Sequence, residues 1–194
     1  VAATALIWGV AGNLRFIVLS WAAVALGFSV TQASALQGVV AIGMAVGAVV
    51  ASMRMRLEDG PRVITLGIGM GLLIILLIFI DNVWVAAPFL ILLGALGGFL
   101  VVPMNALLQH RGHNLMGAGR SIAVQNFNEQ ACILALGALY AVLTKLGLSV
   151  FVAIALLGTM VAVVMEAIRR WHRSNVTRHG EEVERLLVIA RTDG

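Results

Sequence analysis

The residues Gly94–Glu129, GALGGFLVVPMNALLQHRGHNLMGAGRSIAVQNFNE, decide how the chain is read. The run opens as a glycine-rich apolar segment, passes a polar elbow holding His110, Arg111 and His113, and enters a second apolar segment. With its apolar neighbours each segment reaches the ~20 residues that cross a bilayer as a helix. The pair therefore reads as two membrane helices joined on a positively charged side. Both carry more polar groups than lipid-facing helices tolerate: Asn105 and Gln109 on the first, and Gln125, Asn126, Asn128 and Glu129 on the second.

The rest of the chain has the same character. It is 194 residues long, 61% hydrophobic and only 11% charged, with a mean hydropathy of +1.02. Soluble domains carry about 25% charged residues, so the composition predicts an all-α polytopic membrane protein. The formal charge of +4 fits arginines at one membrane face rather than a nucleic-acid surface. A single cysteine, Cys132, leaves no internal disulfide and no cysteine cluster for a metal. The chain opens on Val1 and enters an apolar segment without a basic leader, so the start is not read as a signal peptide.

Six windows are long and apolar enough to span: Ala3–Leu26, Ala35–Met53, Val63–Ile80, Val83–Leu108, Ala118–Thr144 and Ser149–Arg169. The second loop holds Arg54, Arg56 and Arg62, the fourth holds Arg111 with Arg120 beyond it, and the last window ends in Arg169, Arg170 and Arg173. The first and third loops have no Lys or Arg, and the fifth has only Lys145. The positive-inside rule then puts the second and fourth loops and both termini in the cytoplasm. Trp84 and Trp171 fall where interfacial anchors belong. Beyond Arg173 the composition turns polar. This tail, with Val183, Leu186, Leu187 and Ala190 on one helical face, reads as frayed or as a short helix on the membrane surface.

Glycines recur four apart at Gly43/Gly47, Gly67/Gly71 and Gly94/Gly98. Lacking Cβ atoms, they let helix backbones approach, the usual way helices associate in lipid. Gly94 and Gly98 are read as packing positions, and as places where helices slide if the bundle moves. Pro103 removes a backbone hydrogen bond in the fourth helix and can kink it.

Two charges lie deep in spans. Arg15 sits near the middle of the first helix, on one face with Thr4, Trp8 and Ala11. A charge at that depth costs several kcal/mol unless it is paired or faces the bundle interior. Glu129 shares an arc of roughly 100° with Ser121, Gln125, Asn128 and Cys132, from the helical repeat, while Asn126 lies off it. Asn105 shares a face with Gly94 and Gly98. A polar strip on each of two neighbouring helices predicts a water-accessible cavity between them. The candidate substrate-binding residues are Arg15, Asn105, Gln125, Asn126 and Glu129; interhelical hydrogen bonding without a ligand would use the same groups. Enzyme chemistry finds no support. His110 and His113 have no metal frame, Ser121 has no triad partners, and the glycine runs lack the Lys-Ser/Thr of a phosphate loop.

The segments GALGGFLVVPMNALLQHRG and GAGRSIAVQNFNEQ, with IWGVAGNLRFIVLSWAAVALG and VVAIGMAVGAVVA in the same order, resemble the C-terminal half of bacterial lysophospholipid transporters of the major facilitator superfamily. The resemblance covers Val1 to Arg170. It implies a six-helix membrane half-domain over residues 1–170, half of an expected twelve-helix bundle, followed by a cytoplasmic tail over 171–194. It implies a lysophospholipid substrate such as lysophosphatidylethanolamine, moved to the inner leaflet of the bacterial inner membrane. A cytoplasmic acyltransferase–acyl carrier protein synthetase would then reacylate it. Arg15 would fall in the seventh helix of the whole protein, and Gln125, Asn126 and Glu129 in the eleventh. A smaller polar residue is expected where this chain has Arg120. Neither cofactor nor metal is implied. Chemical complementarity assigns Arg15 to the phosphate and Glu129 to the amine. A transporter of another amphiphile or drug, and a membrane scaffold that docks the acyltransferase, are the competing readings.

Overall fold

The computed structural model describes residues 2–55 and 64–178, with the backbone alone at 2, 107, 110–116, 118, 176 and 178. These residues form six helices: α1 (Ala2–Ala25), α2 (Val30–Arg54), α3 (Ile64–Leu76, prolonged by a 3-10 turn Leu77–Phe79), α4 (Val83–Met116), α5 (Ala118–Lys145) and α6 (Val150–Arg178). There is no strand among the described residues. Five helices are long and apolar enough to cross a membrane, and Ile64–Phe79 is a shorter apolar one. The chain is thus an all-α polytopic membrane protein, as its composition predicts. The amphipathic positions expected at Val183–Ala190 lie outside the described residues.

Three boundaries differ from the sequence expectation, each for a local reason. Helix α2 begins at Val30 rather than Ala35, because Ser29 caps it. The Gln32 amide donates to Ser29 Oγ at 3.3 Å, and Gln32 Oε1 accepts the Ser29 amide at 3.0 Å. This reciprocal capping box satisfies two amides that a helix start leaves bare. Helix α4 continues through the His–Arg elbow to Met116, so the elbow is helix and not loop. Its Leu, Gln, Arg and Met residues are good helix formers. The reversal needs only Gly117, whose φ of 82° is open to glycine at little steric cost. Helix α6 runs on to Arg178, nine residues past the expected end at Arg169. Helix α4 contains Pro88 as well as Pro103; the missing Pro103 amide frees the carbonyl of Phe99.

The helices pack most closely two by two, as α2 with α4, α3 with α6 and α1 with α5. Glycine makes each pairing. A Cβ on Gly43 or Gly47 would run into the backbone of Ile91 or Ala95, and one on Gly94 or Gly98 into that of Val40 or Met44. Gly71 and Gly158 face each other's carbonyls in the α3–α6 pair, where an added Cβ would lie 2.8 Å away. Gly9 admits Cys132, Gly12 admits Ile133, and Gly137 admits Asn13 in the α1–α5 pair. Asn13 is the polar rivet of that pair. Its Nδ2 donates to Gly9 O at 2.8 Å and, across the seam, to Ile133 O at 2.9 Å.

These pairings carry an internal symmetry. Exchanging α1, α2 and α3 for α4, α5 and α6 turns the α2–α4 contact into α5–α1 and leaves α3–α6 unchanged. The lesser contacts α1–α2 and α1–α6 become α4–α5 and α4–α3, which are also present. Corresponding helices run in opposite directions, so the two triplets form an inverted repeat, a common plan of secondary transporters. Successive helices alternate in direction. Arg54, Arg120, Arg169, Arg170 and Arg173 therefore gather at one end, and Asp81 and Lys145 at the other. Trp84, 84% exposed, sits at the start of α4, and Trp171, 64% exposed, lies about two turns before the end of α6.

Candidate functional site

Helices α1, α4 and α5 meet in a chain of polar side chains. Gln125 on α5 spends both amide hydrogens: Nε2 donates to Glu129 Oε1 at 2.8 Å and to Asn105 Oδ1 on α4 at 3.1 Å. Trp8 Nε1 on α1 donates to the same Asn105 oxygen at 3.4 Å. The helical repeat places Gln125 over Glu129, and the α1–α5 seam brings Trp8 within reach of Asn105. Gln125 is 5% and Glu129 8% exposed. Gln125 Oε1 in this chain is closed to solvent and has no hydrogen-bond partner among the described residues. Ser121, one turn before Gln125, is also buried.

The structure thus joins Asn105, Gln125 and Glu129 directly, where the sequence predicted an open cavity between two polar strips. It adds Trp8, which the sequence placed with Arg15 instead. Asn126 faces outward and is exposed. Asn128 turns back to donate to Val124 O at 2.7 Å. Gly94 and Gly98 lie in the α2–α4 seam, and Pro103 is buried one turn from that seam.

Arg15 lies elsewhere, on the open face of α1, and makes no ion pair with Glu129. Its guanidinium carbon stands 4.9 Å from the Phe16 ring centroid, a cation–π arrangement. Beside it a groove of about 160 Å³ runs between α1 and α2, lined by Ala11, Leu14, Val18, Gln37, Val40 and Met44 among others. Gln37 Nε2 donates to the Arg15 carbonyl at 2.9 Å, holding the two helices together at this level. The groove is apolar apart from Arg15 and Gln37. That lining suits an amphiphile with an anionic end. Sequence reasoning found Arg15 from its depth, but missed Gln37, whose only signal was a polar residue inside an apolar window.

Among the described residues no group of three or more His, Cys, Asp or Glu side chains could hold a metal ion. At the basic end of α6, Glu166 pairs with Arg169 at 2.6 Å and Arg170 at 2.8 Å. Glu166 and Arg169 are half-buried and Arg170 is exposed, so these are surface pairs of small energetic weight.

The chain is similar to curated proteins named lysophospholipid transporter LplT. It is 40% identical to that of Pectobacterium carotovorum over 148 residues, 76% of this chain and 36% of the relative. It is 37% identical to that of Escherichia coli strain HS over 171 residues, 88% of this chain and 43% of the relative. It is 40% identical to that of Yersinia enterocolitica over 150 residues, 77% and 37% of the two chains. The chain therefore spans about two fifths of the length of these relatives. The resemblance read from its motifs is borne out. No protein-family model and no solved structure matches.

Proposed function

We propose that this chain is the C-terminal six-helix half of a lysophospholipid transporter of the major facilitator type. It sits in a bacterial inner membrane with the arginine-rich end toward the cytoplasm. The observation that carries the reading is Arg15, a permanent cation exposed midway along α1 beside an apolar groove. A lysophospholipid offers a phosphate to the guanidinium and an acyl chain to the groove. The 37–40% identity to named lysophospholipid transporters supports that substrate class. The inverted repeat supports the transporter fold.

In this reading the second six-helix half covers the open faces of α1, α2, α4 and α5. Asn105 offers its amide to the headgroup. Glu129 meets the ammonium once Gln125 swings aside, and Asn126 faces the covering half. The product passes to a cytoplasmic acyltransferase–acyl carrier protein synthetase. The transporter works as a binding machine and not as an enzyme.

The test is uptake of lysophosphatidylethanolamine by spheroplasts lacking their own transporter, with the chain expressed alone and with an N-terminal half from a relative. Uptake only with both halves supports the proposal. Arg15→Gln removes a charge-assisted contact worth about 1.5–3 kcal/mol, so uptake should fall roughly 10- to 100-fold at unchanged membrane abundance. Unchanged uptake in Arg15→Gln sinks the role given to Arg15. Uptake of other anionic amphiphiles but not of lysophospholipid would replace the substrate.

A further inference from the structure

Helix α6 packs most closely with α3 and keeps an exposed face along its length. Leu156, Val163 and Ala167 are exposed on that face. By the helical repeat they fall with Arg170 and Ser174, also exposed, within an arc of roughly 60°. Trp171 borders the arc on one side and Arg173 on the other, and both are exposed. Counted from the helix start at Val150, Arg170 stands about 30 Å away at 1.5 Å per residue, the thickness of the hydrocarbon. The helix runs on to Arg178. Arg170, Trp171 and Arg173 therefore stand at headgroup level, with an apolar strip leading up to them.

The headgroup end of the strip is cationic. Glu166 accepts from Arg170 Nε at 2.8 Å and meets Arg169 Nη2 at 2.6 Å. Three arginines, Arg169, Arg170 and Arg173, against this one carboxylate leave two positive charges in as many turns of helix. The Arg170 side chain is 79% exposed even with its Nε engaged, so its outer nitrogens face the surroundings. A guanidinium fork matches the paired oxygens of a phosphate. The ion pairs with Glu166 orient the two guanidiniums without cancelling their charge. A zwitterionic headgroup brings its own cation beside the phosphate, whereas an anionic headgroup meets the surplus charge directly.

We infer that this face of α6 is a binding site for one bilayer phospholipid with an anionic headgroup, of the phosphatidylglycerol kind. An acyl chain lies along Ala167, Val163 and Leu156. The phosphate rests on Arg170 and Arg173, and the Trp171 ring sits beside the glycerol, where tryptophan is at home. The site is separate from the groove between α1 and α2, and it rests on α6 crossing the membrane, not on the lysophospholipid reading.

The experiment uses the purified chain in phosphatidylcholine nanodiscs. Phosphatidylglycerol or phosphatidylcholine, each brominated near the headgroup, is mixed in at rising mole fraction while tryptophan fluorescence is read. The share of quenching lost in Trp171→Phe belongs to Trp171. An arginine near the surface strengthens attraction to anionic lipid about fivefold, or roughly 1 kcal/mol. Phosphatidylglycerol should therefore half-quench Trp171 at a roughly fivefold lower mole fraction than phosphatidylcholine. The double variant Arg170→Gln/Arg173→Gln should bring the two lipids together. Arg54→Gln, at the same end of the bundle on α2, should leave the preference intact. Equal quenching by the two lipids overturns the inference, as does a preference that survives Arg170→Gln/Arg173→Gln. A preference that Arg54→Gln also removes overturns it in favour of a general surface charge. One that appears only with Glu181→Gln, Glu182→Gln and Glu184→Gln together overturns it in favour of the tail as the partner of these arginines.

Discussion

The α2–α4 seam gives the sharpest test of the packing argument. Gly47→Ala adds one methyl group. At Gly47 that methyl would collide with the backbone of Ala95, which cannot rotate away as a side chain can. The helices must part locally, by roughly 1 Å, and such a gap forfeits a quarter to a half of the dispersion energy of the atoms it separates. The expected cost is about 1–3 kcal/mol, the usual range for overpacking. Gly98→Ala meets the backbone of Met44 on the same seam and should cost as much. Once the first methyl has opened the seam, the second should add less than its own single cost, leaving a coupling of about 0.5–3 kcal/mol. The control is Gly69→Ala in α3, where an added Cβ meets nothing within 4 Å. There the lower flexibility of alanine should stabilise by about 0.5–1 kcal/mol. Reversible unfolding in mixed micelles, followed by helical circular dichroism, measures all four. Equal effects at Gly47 and Gly69, or strict additivity of Gly47→Ala and Gly98→Ala, would refute the backbone-contact reasoning.

Asn13→Asp should destabilise the α1–α5 pair more than Asn13→Leu, because a carboxylate would face the Gly9 and Ile133 carbonyls with no hydrogen to give; the same unfolding assay reads the order, and a reversed order removes the rivet. Ser29→Ala should cost about 1 kcal/mol through loss of the capping box and should speed amide exchange in the first turn of α2; exchange left unchanged there argues that the cap contributes nothing. In variants retaining only Trp84 or only Trp171, lipids brominated near the headgroup should quench fluorescence more than lipids brominated near the chain end. The opposite order would mean that the span boundaries are misplaced.

Much of the architecture was legible because the bilayer makes such uniform demands. Twenty apolar residues read as a span whatever their order, and glycines four apart read as a seam. The Gly43/Gly47 and Gly94/Gly98 pairs proved to be two sides of one seam. What stayed hidden was local or three-dimensional. The Ser29–Gln32 capping box starts α2 ahead of the apolar Ala35 window, where hydropathy alone gives no signal. The His–Arg elbow is polar enough to resemble a loop, although its residues are sound helix formers. At the candidate site, periodicity grouped Thr4 and Trp8 with Arg15, since they share a face of α1. They part because α1 meets different neighbours along its length, with α4 and α5 near Trp8 and α2 near Arg15. No one-helix projection carries that information.

Gly117, the single residue between α4 and α5, has mechanical consequences. Helix α4 has 34 residues, about 51 Å at 1.5 Å per residue, against about 30 Å of hydrocarbon. It is a lever whose far arm outreaches the hydrocarbon by about 20 Å and ends on a one-residue crank pin. A flexible loop would absorb a swing of that arm; Gly117 passes it to the foot of α5. A tilt of α4 by a few degrees would therefore turn or lift the helix that carries Gln125 and Glu129. A push on that arm would reach the buried carboxylate through Gly117 alone.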